Sequence, residues 1–339
     1  MRPSPSNIPP PLYKPIRLHV TLGDPTGIGP EVVVRALTGW RGPPPVVHGH
    51  EEVLDRACAL LGVARPDLEL REPATTAPFE RPGPAQRAAL DQAVSAAVAG
   101  EVDGLVTAPI QKETIRGAGF AFQGHTDYLA HRTGSEVAMM FVSPGLKVSL
   151  VTIHLPLSEV PAALTAERLT SVLRLTVQAL VRDFGVVAPR VAVAGLNPHA
   201  GENGMLGHEE LRVMQPAIAA ALPGLRRGLE QIPGGGLRVH GPLPADTIFR
   251  HAVDGRYDAV IAAYHDQALI PLKLLAFDRA VNLTLGLPFV RTSPAHGTAH
   301  DIAWTGQADG RSMAAALDLA DTLARSRLSS GTPPRPGLS

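Results

Sequence analysis

Short apolar runs alternate with longer amphipathic stretches along most of the chain. The runs are rich in β-branched residues and nearly apolar throughout, as expected of strands buried on both faces of a sheet. Seven of them are predicted strands: RLHVTLGD, PPVVHGH, GLVTAPI, KVSLVTIH, RVAVAGLN, LRVHGPL and YDAVIAAYHD. The amphipathic stretches predict helices at 31–37, 85–99, 158–184, 209–222 and 312–325. This alternation is typical of an α/β protein with a mostly parallel sheet covered by helices.

One stretch departs from this alternation. In VAMMFVSPGLKVSLV, two apolar runs flank Ser143, Pro144 and Gly145, which favours a hairpin and therefore an antiparallel excursion from the parallel sheet. The single cysteine, Cys58, lies in LDRACALLGV, on the predicted apolar face of a helix. We therefore expect a buried core thiol and no internal disulfide.

The two ends of the chain are rich in proline. Residues 1–15 and the tail at 326–339 are expected to be disordered, which leaves one two-lobed α/β unit with an active-site cleft at 16–325. The first prolines interrupt the apolar run that a signal peptide needs, and no stretch of about 18 apolar residues occurs. We therefore expect a cytoplasmic protein that does not bind membranes.

Positive and negative side chains balance. Lys+Arg and Asp+Glu both number 31, so no net field favours nucleic acid or an anionic membrane. Any anion site must then be local, which favours a small-molecule partner. Lysine occurs only at Lys14, Lys112, Lys147 and Lys273, so a lysine in an apolar neighbourhood needs an explanation.

Three histidines share one setting. His154 ends KVSLVTIH, His199 follows RVAVAGLNP, and His265 ends DAVIAAYH. Each lies just past the C-terminal end of a predicted strand, where the loops of an open α/β sheet converge on a ligand. Three neutral imidazoles suit Zn²⁺ or Co²⁺ and leave positions open for substrate oxygens. Taken singly, each is also explained as a hydrogen-bonded residue at a strand end, so both interpretations stay open.

A second group of candidates prefers anions. Lys273, Asn282 and Arg291 lie at nine-residue intervals in PLKLLAFDRAVNLTLGLPFVRTSP, an otherwise apolar segment in which a charge needs a partner. Arginine offers two parallel donors to phosphate or carboxylate, lysine a point charge and asparagine a neutral donor, so a phosphorylated carboxylic acid would satisfy the set. The alternative is that the two cations pair with Asp266 and Asp278.

Two glycine-rich segments lie near the ends of the unit. HVTLGDPTGIGPEVVVRAL predicts a strand, a turn and a helix that begins near Pro30, a layout that points N–H groups towards an anion. It lacks the GxGxxG pattern, and taken alone a tight turn without a ligand is the simpler interpretation. RTSPAHGTAHDIAWTGQAD predicts a polar loop before the last helix, which suits a bound nucleotide.

Eight segments in a common order make the chain, from about Leu18 to Leu323, similar to the 4-hydroxythreonine-4-phosphate dehydrogenase family of pyridoxal phosphate biosynthesis. The segments are GDPTGIGPE, VTAPIQKE, GHTDYLA, VTIHLPL, GLNPHAGENG, GPLPADTIF, AYHDQALIPLK and VNLTLGLPFVRTSPAHGTAHDIA. GDPTGIGPE and HGTAHDIA also resemble the turn and the adenosine loop of isocitrate and isopropylmalate dehydrogenases. That second resemblance implies their fold and NAD binding without a Rossmann motif.

The resemblance implies roles for individual residues. The positions that match metal ligands are His154, His199 and His265. The positions that match substrate contacts are His125, Thr126, Lys273, Asn282 and Arg291. The adenosine loop assigns cofactor binding to His296, Gly297, Thr298 and Asp301. The family also implies a homodimer whose active sites are each built from both subunits.

Three positions depart from the family pattern. VTAPIQKE has Gln111 where asparagine is usual, and GHTDYLA has Asp127 where glutamate is usual. Trp304 stands where a smaller residue is common. None of the three is a predicted metal ligand, but an indole at position 304 puts the shape of the cofactor pocket in doubt.

The family reaction is a metal-dependent oxidation by NAD, with NADP as an alternative and one divalent ion (Zn²⁺, Co²⁺ or Mg²⁺) per subunit. 4-Phosphohydroxy-L-threonine would become a β-keto acid that loses CO₂ to give 3-amino-2-oxopropyl phosphate. Asp246 of GPLPADTIF and Lys273 are both candidates for the proton acceptor.

Other functions fit the same residues. A family member with another substrate, such as phosphorylated threonate or a dihydrodiol carboxylate, would keep the same metal and NAD residues. A phosphate acyltransferase would share the fold, but acyl transfer to phosphate does not need a metal held by histidines. A non-catalytic metal-binding module is disfavoured by the anion-binding set.

Overall fold

The computed structural model describes residues 15–329, so residues 1–14 and 330–339 lie outside the description. One sheet of eleven strands runs through the described residues, in the order β3-β2-β1-β4-β11-β10-β5-β6-β9-β7-β8. Most neighbouring strands are parallel, and helices pack against the sheet. The predicted α/β class with a mostly parallel sheet is confirmed.

The strands are short, and five of the eleven are buried along their whole length. They are β1 (Leu18–Thr21), β2 (Val46–His48), β3 (Glu69–Arg71), β4 (Gly104–Thr107), β5 (Ala138–Ser143), β6 (Leu146–Leu150), β7 (Arg190–Ala194), β8 (Arg238–Leu243), β9 (Ala259–Ala262), β10 (Val281–Leu285) and β11 (Val290–Pro294).

The helices vary more in length. They are α1 (Gly29–Thr38), α2 (Glu51–Leu61), α3 (Pro82–Val98), α4 (Lys112–Gly117), α5 (His125–Thr133), α6 (Val160–Ala163), α7 (Ala166–Arg182), α8 (Gln215–Leu229), α9 (Ala245–Val253), α10 (His265–Ala276) and α11 (Arg311–Ser329). A 3₁₀ turn at Leu157–Glu159 precedes α6, and a π-helical turn at Glu210–Met214 leads into α8. No helix within residues 15–329 is long and apolar enough to cross a membrane.

All seven strands predicted from apolar runs are present. The predicted hairpin is confirmed as well, because β5 and β6 pair antiparallel around Pro144 and Gly145. Three further strands, β3, β10 and β11, were not predicted from the sequence. β10 pairs antiparallel with both β5 and β11, so the antiparallel part of the sheet is wider than the hairpin alone.

Three predicted helices have wrong boundaries. The helix expected at 209–222 begins with the π-helical turn and continues to Leu229. The helix expected at 158–184 is interrupted at Leu164, whose ψ of 76° is not helical. Thr165 then caps α7 by accepting a hydrogen bond from Arg168 N at 3.2 Å. α11 continues to Ser329, so residues 326–329, which were assigned to the tail, are helical. Cys58 lies on the buried side of α2, as predicted.

The sheet reverses direction across its middle. One parallel set contains β3, β2, β1, β4 and β11, and a second contains β6, β9, β7 and β8. Antiparallel pairing through β10 and β5 joins the two sets. The register places Thr107, Arg291, Asn282 and Phe141 on one face of the four central strands, because side chains alternate between faces.

Candidate active site

A cavity of about 340 Å³ lies over that face of the central strands. Its walls come from α4, the start of α5, α10 and the loops that follow β6 and β11. The polar residues that line it are Thr107, Lys112, Gln123, His125, Thr126, Asp127, His154, His265, Lys273, Asn282, Arg291, Ser293 and His296. All five predicted substrate contacts are among them.

Several buried polar atoms in this cavity lack a hydrogen-bond partner within residues 15–329. They are His125 Nε2, Asn282 Oδ1, Arg291 Nε and His296 Nε2. Such atoms are rare in folded proteins, and each costs roughly 1–3 kcal/mol if it stays unpaired. Their convergence on one cavity indicates a site for a polar ligand that supplies the missing partners.

Arg291 is the buried cation of the cavity, with 2% of its surface exposed. Its Nη1 and Nη2 donate to Thr284 Oγ1 at 3.1 Å and to Thr107 Oγ1 at 2.6 Å. No carboxylate of the described chain pairs with the guanidinium, and burial lowers the pKa of Arg291 to about 9. A buried cation held only by neutral hydroxyls favours an anionic ligand, such as a phosphate or a carboxylate.

The acidic residues considered as partners for these cations are engaged elsewhere. Asp278 forms an ion pair with Arg311, and Asp266 shares a hydrogen bond with the ring of His265. The alternative in which these acids neutralise the two cations is therefore wrong. Lys273 faces the cavity, and within the described residues it has no ion pair.

His154 and His265 lie side by side at the cavity wall. They follow β6 and β9, which are neighbouring parallel strands, and their ring centres are 5.5 Å apart. Nδ1 of His265 lies 2.7 Å from Asp266 Oδ1, a contact that orients the ring and leaves Nε2 for a ligand. Burial, reinforced by the charge of Lys112, lowers the pKa of His154. The lowered pKa favours the neutral imidazole that a metal ion requires.

His199 does not join this pair within one chain. It follows β7, the strand next to β9, but it is exposed on the turn Pro198–Gly204 and lies outside the cavity lining. Asp246, in the first turn of α9, is also exposed and outside the lining. Among residues 15–329 no group of three or more His, Cys, Asp or Glu side chains is placed to hold a metal ion. One chain therefore brings together two of the three predicted metal ligands.

The glycine-rich turn after β1 and the loop after β11 bind each other. Ile28 N donates to Thr298 O at 2.9 Å, and Gly306 N donates to Glu31 Oε2 at 3.0 Å. Asp24, which is fully buried, accepts from Thr26 N at 3.0 Å and contacts His300 at 2.8 Å. The start of α1 is buried beneath the loop, so the interpretation as a tight turn, and not as an anion site, fits the structure.

The predicted cofactor residues divide into two pairs. His296 and Gly297 line the cavity, and burial lowers the pKa of His296. Thr298 instead packs against Gly27, where an added β-carbon would lie 3.0 Å from it, and Asp301 is exposed. Only the first part of the loop therefore contributes to the cavity wall.

Trp304 lies outside the cavity lining. Its φ of 60° is left-handed, a conformation that favours glycine. Contacts offset that cost: the indole Nε1 donates to Pro25 O at 3.0 Å, and the guanidinium of Arg56 lies 4.7 Å from the ring centre. This departure from the family pattern therefore lies away from the cavity wall.

The sequence analysis missed two charged residues of the cavity, Lys112 and Asp127. The charge of Lys112 lowers the pKa of His154, and that of Asp127 raises it. Burial also lowers the pKa of His125 well below its ordinary value, with further contributions from Arg291 and Lys112. The scarcity of lysine in this arginine-rich chain was the signal that could have identified Lys112.

Comparison with known proteins gives a consistent result. The family model described as pyridoxal phosphate biosynthetic protein PdxA matches residues 44–320. The chain is similar to the 4-hydroxythreonine-4-phosphate dehydrogenase of Paracoccus denitrificans, with 47% identity over 91% of this chain and 98% of that protein.

Solved structures show the same similarity. The 4-hydroxythreonine-4-phosphate dehydrogenase of Klebsiella pneumoniae superposes with a TM-score of 0.79 and 39% identity, covering 91% of this chain and 99% of that one. A terephthalate 1,2-cis-dihydrodiol dehydrogenase from Burkholderia xenovorans superposes with a TM-score of 0.63 and 28% identity, covering 91% and 98%.

Proposed function

We propose that this chain, which belongs to the PdxA family of pyridoxal phosphate biosynthetic proteins, is a 4-hydroxythreonine-4-phosphate dehydrogenase. The reaction oxidises the secondary hydroxyl of 4-phosphohydroxy-L-threonine with NAD, and NADP is the alternative hydride acceptor. The β-keto acid that results loses CO₂ to give 3-amino-2-oxopropyl phosphate.

The positive charge of the cavity is the main support for this proposal. Arg291 is buried without a carboxylate, and Lys273 and Lys112 line the same space. A substrate with both a phosphate and a carboxylate would neutralise these cations. It would also supply partners for the unpaired atoms of His125 and Asn282.

The phosphate is assigned to Arg291 and Lys273, with Thr126 assisting. Thr126 lies in the first turn of α5, whose N-terminal N–H groups and positive end favour an anion. Asn282 lies on the floor beside them and orients the substrate through its side-chain amide. Closely spaced donors of this kind hold the substrate in one orientation, which lowers the entropy cost of reaching the transition state.

The cofactors would contact other residues of the cavity lining. His154 and His265 would hold one divalent ion, and His296 and Gly297 would contact the nicotinamide cofactor. When bound, NAD supplies the hydride acceptor, and the metal charge acidifies the substrate hydroxyl. Of the two candidate proton acceptors, Lys273 lines the cavity and Asp246 does not. Lys273 would accept the hydroxyl proton as a neutral amine, and Arg291 and Thr126 would then hold the phosphate. The nearby positive side chains stabilise the enolate left by the loss of CO₂.

A second copy of the chain would complete the metal site with its own His199, and Asp246 would reach the substrate from the same side. Support comes from exposed apolar side chains beside both regions. Leu274 and Phe277 of α10 are 87% and 75% exposed, and Met205, next to the turn of His199, is 83% exposed. Apolar patches of this kind mark interaction surfaces, and two-fold symmetry would bury both in one homodimer.

The test is NADH formation from 4-phosphohydroxy-L-threonine, measured with added Zn²⁺, Co²⁺ or Mg²⁺ and again after chelation. Phosphorylated threonate is assayed beside it, and NADP replaces NAD in a parallel series. We expect turnover of the threonine derivative only with metal. Turnover that is undiminished after complete removal of metal would contradict the proposed role of the histidines.

A dihydrodiol carboxylate is the second candidate substrate, because the Burkholderia xenovorans relative is named for one. It carries a carboxylate but no phosphate, so it would leave one of the cavity's anion partners unfilled. A higher kcat/KM for the dihydrodiol than for the phosphorylated substrate would replace the proposed reaction with this one.

A further inference from the structure

The turn that carries His199 has an unusual backbone. From His199 to Asn203, every φ lies between 43° and 80°, in the left-handed region. Left-handed conformation normally occurs at single residues, because the β-carbon then crowds the following carbonyl oxygen. Only Gly201 avoids this cost, whereas His199, Ala200 and Glu202 do not.

A buried carboxylate holds this turn from beneath. Glu210 is 1% exposed, and its Oε1 accepts a hydrogen bond from Asn197 N at 2.7 Å. Its Oε2 accepts from Asn197 Nδ2 at 3.0 Å, and the same amide donates to Glu209 Oε2 at 2.7 Å. Asn197 is two residues before His199, so these bonds set the direction in which the chain enters the turn.

Two glycines, Gly195 and Gly201, leave room for the Glu210 carboxylate. A β-carbon on Gly201 would lie 2.7 Å from Glu210 Oε2, and one on Gly195 would lie 3.2 Å from Glu210 Oε1. Glu210 is also the first residue of the π-helical turn that leads into α8. π-turns are rare overall, but those that interrupt helices often lie at functional sites. Two costly backbone features therefore meet at one carboxylate whose hydrogen bonds go to Asn197.

Backbone strain of this kind persists only where the surrounding structure over-determines it, and it clusters at functional sites. The turn leaves His199 exposed and puts it at the same sheet edge as His154 and His265. We propose that Glu210 and Asn197 are positioning residues, which hold the left-handed turn so that His199 can reach a metal ion shared with a second copy. This inference rests on the proposed function.

The test compares two substitutions that remove the same charge. Glu210→Gln keeps the size of the side chain but turns an amide donor towards the Asn197 amide, which opposes the contact. Glu202→Gln removes a carboxylate from the turn itself, where it is exposed and makes no side-chain hydrogen bond within the described residues. Co²⁺ affinity is measured by competition with a chromophoric chelator, together with the Co²⁺ absorption spectrum and the Tm of the metal-free protein.

We expect Glu210→Gln to weaken Co²⁺ binding about tenfold to a hundredfold, the usual range for a group that orients a metal ligand. Glu202→Gln should bind Co²⁺ as the parent does. A lower Tm with unchanged Co²⁺ affinity in Glu210→Gln would show a structural role only and would overturn the inference. If the parent itself binds no Co²⁺, the proposed metal site fails, and that result differs from a selective failure of the variant.

A second substitution tests whether Glu210 acts through the backbone of the turn. Glycine accepts the left-handed conformation without a steric cost, so Ala200→Gly added to Glu210→Gln should recover part of the Co²⁺ affinity. No recovery would contradict the idea that Glu210 acts through the conformation of the turn. If Glu210→Gln does not fold, Asn197→Ala, which keeps the backbone bond to Glu210, takes its place in both measurements with the same expected outcomes.

Discussion

The cavity and the turn at Pro198–Gly204 are two regions of this chain with opposite physical character. The cavity lies over the central strands, and its key cation, Arg291, is buried among threonine hydroxyls. The turn lies at the edge of the sheet, is strained, and leaves His199 exposed. The cavity is assembled by a single chain, whereas within residues 15–329 no second or third metal-ligating side chain is placed to share an ion with His199.

This difference explains why most of the predicted site residues line the cavity whereas His199 and Asp246 do not. Residues drawn from the strands and helices that pack over the central sheet converge, because the register of the strands fixes which side chains share a face. His199 and Asp246 follow β7 and β8, the last two strands of the order, and remain outside the cavity. A strand-end position therefore selects an edge of the sheet, but it does not guarantee that two residues on that edge meet.

The largest expected effect comes from removing the exposed ligand. His199→Ala should keep the fold yet lose most of the bound divalent ion and nearly all turnover, because a three-ligand metal site tolerates the loss of a ligand poorly. His208→Ala, an exposed histidine just beyond the turn, is the control and should bind metal normally. Full metal occupancy of His199→Ala by elemental analysis would remove the turn from the site.

Mixing two inactive variants tests whether the two regions meet between subunits. His265→Ala damages the cavity and His199→Ala damages the turn, so a hybrid dimer would contain one intact site. Random exchange of subunits should then restore about a quarter of the parental activity in a two-fold dimer. A protein that is monomeric by light scattering and still fully active would contradict a site shared between subunits, because one chain would then suffice.

Arg291→Lys tests the cavity by itself. A lysine loses one arm of a two-point contact with the substrate anion, so kcat/KM should fall about tenfold to a hundredfold while the KM for NAD stays nearly constant. Arg327→Lys is the control, since Arg327 is largely buried, with 12% of its side chain exposed, but pairs with Asp183. That variant should lower Tm and leave the substrate KM unchanged. The same pattern in Arg291→Lys would show that Arg291 is structural.

Mild acid should produce the smallest effect, and it acts on β1 and β2, which lie beside the central strands under the cavity. His19 and His48 are buried there, with His19 Nδ1 2.9 Å from His48 Nε2. Burial lowers the pKa of His19 to about 3 and also lowers that of His48. As the pH falls below about 6.5, these histidines take up protons in the unfolded chain. In the folded protein both rings stay neutral to lower pH. Their stabilisation is therefore fully present above about pH 6.5 and is lost as the pH falls towards 3.

Urea unfolding at about pH 7 and about pH 5 measures this effect, whose limit is roughly 1.4 kcal/mol per pH unit for each histidine. His19→Gln should make the loss of stability with acid shallower. His208→Gln, at an exposed position, should not change it. Equal acid sensitivity in both variants would show that other groups control the acid response.

Much of the fold could be predicted from local patterns. Apolar runs predicted seven strands and the hairpin, because a strand buried on both faces needs apolar side chains throughout. β10 and β11 were missed because Asn282 and Arg291, which line the cavity, interrupt their apolar pattern. The helix expected at 158–184 was placed as one element because the hydrophobic period continues across the break at Leu164.

The sequence by itself determined which residues are candidates for the site: histidines after strands, and cations in an apolar segment. Only the tertiary structure decided which of them meet. Thr107 reaches Arg291 from 184 residues away, and the register of β4 and β11 is what brings them together. The outward direction of His199 likewise depends on a left-handed turn held by Glu210. Both are long-range or conformational facts, and a pattern of residue types along the chain does not encode distances between its parts.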